Sequence, residues 1–251
     1  MNKVLAALDN SAAARPVLVS AAALARLLGA EVEAVHIRED GHQTAEAAAR
    51  AAGLPLRLTA GPVVQTLQAA GQNPDVIALA LGVRALSAGR RPAGHVALQL
   101  AVTLPKPLLV VPPQATPTTT LKRVLVPLDA EPATAAALAE TLELAGRHQL
   151  EVVVLHVHNH ASIPPFTEQP QHELAAWGEE FLRRHCPNPD LVRLEVRVGI
   201  PGQHVLGVAE EMRADMIALG WAQELDEGHA AVIREALEHS SIPLLLIPVP
   251  R

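Results

Sequence analysis

Val4-Leu5-Ala6-Ala7-Leu8-Asp9 and, 120 residues later, Val124-Leu125-Val126-Pro127-Leu128-Asp129 decide the fold. Each is a short apolar run that stops at an aspartate, the pattern of a strand buried on both faces. Further matches keep the same order. Glu31-Val32-Glu33-Ala34-Val35-His36-Ile37 returns as Glu151-Val152-Val153-Val154-Leu155-His156-Val157, again at an offset of 120. Asp75-Val76-Ile77-Ala78-Leu79 returns as Asp215-Met216-Ile217-Ala218-Leu219 at an offset of 140. Pro107-Leu108-Leu109-Val110-Val111-Pro112 returns as Pro243-Leu244-Leu245-Leu246-Ile247-Pro248 at 136. The second copy has therefore gained about 20 residues after its second apolar run and lost a few later, the form of a duplicated domain.

Between the copies stands Val111-Pro112-Pro113-Gln114-Ala115-Thr116-Pro117-Thr118-Thr119-Thr120. Prolines and a threonine run continue neither a helix nor a central strand, so this is read as the connection. The expected division is a first domain over 1–113, a linker over 114–121, and a second domain over 122–251 with an insertion around 159–190. Each half is near the commonest domain size.

Within the first half, apolar runs alternate with helical stretches. Strands are expected at Val4–Leu8, Val32–Ile37, Leu54–Leu58, Val76–Leu81 and Leu108–Val111. Helices are expected over Ala12–Leu28, with Ser11 as N-cap and Gly29 as stop, and over Thr44–Ala52, Pro62–Ala70 and Gly94–Leu104. The second half follows the same order. Continuous apolar strands separated by helices make an α/β fold whose parallel sheet is covered on both faces. Two such five-stranded domains stand in tandem.

Composition narrows the function. The chain has 251 residues, 49% hydrophobic and 18% charged, with a net charge of −6, which argues for packed cores rather than disorder. Its aromatics are Phe166, Trp177, Phe181 and Trp221, and there is no tyrosine. Binding of single-stranded nucleic acid uses aromatic platforms along a basic groove, so no nucleic-acid partner is expected. The lone Cys186 allows no intrachain disulfide. No run suits a signal peptide or a membrane span, and a cytoplasmic location is expected.

Ligands of open α/β sheets bind beyond the carboxyl ends of the strands. Asp9 and Asp129 follow the first strand of each half, Ile37 and Val157 end the second, and Gly82 and Gly220 end the fourth. Two readings stay open at this point. Either these ends form a pocket, with glycine admitting backbone amides to a ligand, or the aspartates only start helices and the glycines only make tight turns.

The strand-Asp opening, the Val-His-Ile and Leu-His-Val strand ends and the closing Pro-x-x-x-x-Pro strand resemble the universal stress protein family in both halves. The resemblance implies two Rossmann-like domains with strand order 3-2-1-4-5, paired through their last strands as an intramolecular pseudo-dimer. In the nucleotide-binding branch, it implies that adenine and ribose lie against Ala7, Asp9 and Ile37, or against Pro127, Asp129 and Val157. The phosphates would follow a loop of the form Gly-x2-Gly-x9-Gly-Ser/Thr.

Both loops depart from that form. The first runs from Gly82 through Arg84, Ala85, Arg90 and Arg91 to Gly94 and His95. Its second glycine is Ala85, its spacing is one residue short, and His95 replaces the hydroxyl, yet its arginines suit anionic oxygens. The second starts Gly220-Trp221-Ala222-Gln223 and carries Glu224, Asp226 and Glu227, which repel a polyphosphate. The expectation is an adenine nucleotide such as ATP, or another small anion, in the first half only. The candidate residues there are Ala7, Asp9, Ile37, Gly82, Arg84, Arg90, Arg91, Gly94 and His95; the second site, at Pro127, Asp129, Val157 and Gly220, is degenerate.

His156, His158 and His160 alternate along one strand and so share a face. His156 has a twin in His36 and reads as a packed strand residue, which leaves His158 and His160 as weak metal candidates without a completing ligand set. No metal is assigned. Trp177 and Phe181 stand four apart, the spacing of one helix face, and read as core or interface. The insertion that holds them is expected to lid or fill the second pocket. No Gly-x-Ser-x-Gly, His-Glu-x-x-His, Walker or Cys-x-x-Cys signature occurs. The reading is a non-enzymatic stress-response binding or regulatory protein. The rivals are a slow ATP-hydrolysing or phosphate-transferring enzyme and a ligand-free scaffold; the pseudo-dimer could associate further as a homodimer.

Overall fold

A computed structural model describes the chain apart from residues 39–40, 84–94, 113, 117, 159–169, 225–228 and 250–251; for 170–174 and 229–231 it describes the backbone alone. The first half runs β1 (Lys3–Leu8), α1 (Ala14–Leu28), β2 (Glu31–Ile37), α2 (Gln43–Ala51), β3 (Leu56–Thr59), α3 (Val63–Gly71), β4 (Val76–Gly82), α4 (His95–Thr103) and β5 (Leu108–Val111). The second runs β6 (Arg123–Pro127), α5 (Pro132–Arg147), β7 (Glu151–His158), α6 (Pro170–His185), a 3-10 turn (Pro189–Leu191), β8 (Val192–Val198), α7 (Pro201–Glu211), β9 (Met216–Trp221), α8 (His229–His239) and β10 (Leu244–Pro248).

The ten strands of the described residues join one sheet, in the order β3-β2-β1-β4-β5-β10-β9-β6-β7-β8. The first five stand in the expected order 3-2-1-4-5, and the second five repeat it in reverse from the centre outward. Pairing within each half is parallel. The halves meet where β5 and β10 run antiparallel, with Leu108 opposite Leu246, Leu109 opposite Leu245 and Val110 opposite Leu244. The expected pairing through the last strands is thus present inside one chain.

Strand alternation sends side chains into two apolar layers. One face is covered by α1, α2, α5 and α6, with Leu8, Leu24, Ala45, Leu138, Val154 and Phe181 inside it. The other is covered by α3, α4, α7 and α8, with Leu5, Leu67, Leu100, Val205, Trp221 and Ile233 inside. Helices on both faces explain why the strands read as unbroken apolar runs.

Most sequence-derived boundaries hold within two residues. Helix α1 is one difference: it starts at Ala14, and Ala13 rather than Ser11 holds the N-cap, with no side-chain bond. The Ser11 hydroxyl donates to Asp9 Oδ1 at 2.5 Å and accepts from the Ala13 N–H at 3.1 Å, which closes a turn ahead of the helix. At the other end Gly29 does stop α1, in the left-handed region at φ 61°. Leu54 lies outside β3 because its N–H donates back to the Ala49 carbonyl (2.9 Å) and finishes α2.

Candidate functional site

The carboxyl ends of β1, β2 and β4 lie side by side. Ala7 pairs with Val35 on one flank and Leu81 on the other, so Asp9, Ile37 and Gly82 follow along one edge of the sheet. Ala7 is half-buried and Ile37 buried, both against the layer that holds α3 and α4. In the second half Pro127 pairs with Leu155 and Val157 with Arg197. The Arg197 guanidinium is committed to Glu195 and, at 2.9 Å, to Glu211.

Both aspartates serve the helix that follows them. Asp129 Oδ1 accepts the Glu131 N–H at 2.9 Å, and its Oδ2 accepts the Thr134 hydroxyl at 3.2 Å. Asp9 accepts the Ser11 hydroxyl. A short carboxylate that bonds the backbone two residues ahead closes an Asx-type turn, so the helix-start reading has this geometric basis at Asp129, whereas Asp9 reaches its helix start through the Ser11 side chain.

The glycines likewise have a packing cause. A Cβ on Gly82 would stand 3.2 Å from Val17 Cγ2 and 3.4 Å from Ala13 Cβ. On Gly220 it would stand 2.7 Å from Thr134 Cγ2. In each half the missing side chain lets the first turns of α1 or α5 lie against the end of the fourth strand. Such close approach is also what a ligand-cradling turn needs, so the two roles are compatible.

The paired histidines tie strand ends together. His36 Nδ1 lies 2.8 Å from the Leu8 carbonyl and His156 Nδ1 lies 2.7 Å from the Leu128 carbonyl, in both cases just ahead of the aspartate. An Nδ1–H donates in this geometry. His36 Nε2 also lies 2.9 Å from the Gly41 carbonyl. His156 instead turns its ring toward Trp177 and Phe181, at centroid distances of 5.4 and 4.7 Å.

That cluster extends further. His158 stacks edge-on against His156 at 4.4 Å and meets Trp177 at 4.5 Å, while Phe181 meets His185 at 4.8 Å. Burial pushes the pKa of His156, His158 and His185 down; His156 lowers His158 further, and Arg184 and His156 lower His185. Burial also pushes the Cys186 thiol up to about 11, far from a reactive thiolate at neutral pH. Phe181 thus packs in the core and Trp177, half-buried, against it, in line with their helical spacing. Helix α6 covers the His156 and His158 face of β7, whereas Val157 points to the opposite face; whether the insertion lids or fills the second pocket turns on Phe166. The stretch around Phe166 lies outside the described residues.

Among the described residues no group of three or more His, Cys, Asp and Glu is placed to hold a metal ion. His158 is buried among rings, and its Nε2 has no hydrogen-bond partner among the described residues. His160 lies outside the described residues, as do Arg84, Arg90, Arg91 and Gly94 of the first loop and Asp226 and Glu227 of the second. His95 opens α4, half-buried. No described helix is long and apolar enough to cross a membrane.

Two residues went unassigned from sequence. Trp221 is buried at 1% exposure, and its Nε1 donates to the Ala101 carbonyl of α4 at 2.9 Å. Gln223 Nε2 donates to the carbonyls of Ala101 (3.1 Å) and Leu104 (2.8 Å). The second loop therefore reaches across the centre of the molecule into the first half. One signal was present: Pro105 stands four residues after Ala101, where a helix would supply an N–H donor.

Solved structures share this architecture. A universal stress protein from Archaeoglobus fulgidus DSM 4304 superposes with a TM-score of 0.68 at 17% identity, covering 99% of this chain and 96% of its own. A functionally unknown protein from Pseudomonas aeruginosa PAO1 gives 0.66 at 13% identity, covering 99% and 93%. At such identities the likeness speaks for the fold alone. No curated protein sequence matches the chain. Residues 120–248 match the universal stress protein family, just over half of the 251 residues. On that match, and with the strand order of both halves in agreement, the chain belongs to the universal stress protein family.

Proposed function

We propose that the chain is a non-enzymatic, stress-linked binding protein whose first half takes an adenine nucleotide or a related small anion and whose second half has given up that role. The observation that carries the reading is the fate of the second loop. Trp221 and Gln223 are turned into the first half, and both Asp129 oxygens accept hydrogen bonds from its own helix start. A phosphate there would meet the Glu224 carboxylate. The residues of the first half suit the ligand better. Ala7 and Ile37 offer a small apolar seat beside Asp9, and the following stretch brings Arg84, Arg90, Arg91 and His95 in sequence, forks and rings that match phosphate oxygens.

Calorimetry with ATP, AMP and cyclic AMP tests this directly. One binding event per chain is expected, with an affinity at least tenfold weaker in Asp9→Ala and unchanged in Asp129→Ala. Two events per chain, or equal loss in both variants, would overturn the assignment. Flat traces for every nucleotide would leave a scaffold acting through its surface.

A further inference from the structure

We infer that Trp221 and Gln223 are positioning residues: the loop of the second half acts as a built-in cap on α4 and holds that helix, and with it the edge of the first half's site, in place. The chemistry starts at Pro105. A helix carbonyl is normally met by the N–H four residues on, and for Ala101 that residue is a proline with no N–H to give. Left alone in a buried interface, such a carbonyl is costly. Two donors from the other half answer it, Trp221 Nε1 at 2.9 Å and Gln223 Nε2 at 3.1 Å, and Gln223 also meets Leu104 at 2.8 Å.

The backbone of Gln223 supports a dedicated role. It sits at φ 61°, the left-handed region that disfavours a residue with a Cβ. It is also the third residue after Gly220, where the family loop of form Gly-x2-Gly carries its second glycine. The glycine-like conformation is kept while the side chain is aimed away from any ligand, into the partner half. The device has a counterpart. Ser240, which precedes Pro243 by three residues as Leu104 precedes Pro107, receives Gln114 Nε2 on its carbonyl at 2.7 Å. Equivalent carbonyls at the ends of α4 and α8 are thus each met by a glutamine, one from the connection and one from the altered loop.

The consequence for the site follows from length. Helix α4 has nine residues, a rod of about 13 Å. Its first residue is His95, directly after the arginine-bearing stretch, and its last turn is the part that Trp221 and Gln223 grip. A rod fixed at one end by three hydrogen bonds presents its other end at a defined place. This role rests on the nucleotide reading of the first half, whereas the cap itself does not.

Hydrogen exchange and ATP calorimetry on the full chain separate the two. In Gln223→Ala, amides of α4 should exchange at least tenfold faster while α1 is unchanged, and ATP affinity should fall at least threefold. Gln223→Arg, which keeps donors for both carbonyls, should restore both readouts. Gln114→Ala should change neither. Unaltered α4 exchange in both Gln223→Ala and Trp221→Phe overturns the cap. Faster exchange with undiminished ATP affinity overturns the positioning role, as does failure of Gln223→Arg to restore that affinity. If the unsubstituted chain takes none of ATP, AMP and cyclic AMP, the nucleotide reading falls and the positioning role with it, and the exchange result alone decides the cap. If it takes only one of the others, that nucleotide replaces ATP in the affinity arm.

Discussion

In the first half the ring of His36 is held between two carbonyls, those of Leu8 and Gly41; in the second, His156 keeps the bond to Leu128 and turns its other edge toward Trp177 and Phe181. The same divergence recurs at the fourth strand. Gly82 and Gly220 both make room for the helix that follows the first strand, yet the next residue is Val83 on one side and Trp221 on the other. What the halves share is the frame that brings strand ends together. What differs, among the described residues, is what packs around those ends. A fold of this kind tolerates such drift because the frame is set by buried strands, and the edges by loops.

The largest test of that contrast is Trp221→Ala. Truncating a buried tryptophan costs about 3–5 kcal/mol, and here the Ala101 carbonyl also loses a donor. Val83→Ala, the matching change, should cost less than half as much in urea unfolding. Equal losses would mean that the two positions carry the same load. Next comes Gly220→Ala, whose added methyl would press on Thr134 at 2.7 Å; overpacking of this sort costs about 1–3 kcal/mol. Gly82→Ala, with its nearest atom at 3.2 Å, should cost less, and a reversed ranking would refute the packing account.

The smallest effect is in acid. His156, His158 and His185 are held below the ordinary histidine pKa of 6.5 chiefly by burial, so the fold keeps them neutral. The unfolded chain takes up protons near 6.5 while the folded one does not. Stability is therefore full above that pH and declines as the pH falls from there through the lowered values. Unfolding followed by Trp177 fluorescence in a Trp221→Phe background should lose its midpoint between pH 7.5 and 5.5. In that background, His158→Phe should flatten the decline, and a slope unchanged by it would count against this cluster as the cause.

The repeat made the sheet readable. The apolar strands and their helix cover on both faces follow from Val4–Asp9 and Val124–Asp129 with their later matches, because a buried parallel strand has a composition of its own. The strand order and the pairing through the last strands came instead from the family resemblance. Phe181 in the core and Trp177 against it were legible from their helical spacing. The glycines were half legible: sequence marks where a Cβ is missing and not whether a helix or a ligand fills the space. Trp221 and Gln223 were not legible as partners of α4. Their contacts span about 120 residues and answer a donor missing at Pro105, and no local pattern names a distant group as the replacement.

The antiparallel seam between β5 and β10 has one more effect. In a symmetric homodimer every substitution is written twice, at both ends of the twofold, so a bulky residue useful on one side must be endured on the other. Here a single covalent chain carries both sides of the seam, and the partner is always present at high effective concentration. Each side can change alone. Trp221 opposite α4, with only Val83 in the mirrored place, is the kind of asymmetry that such a chain can hold and a homodimer cannot.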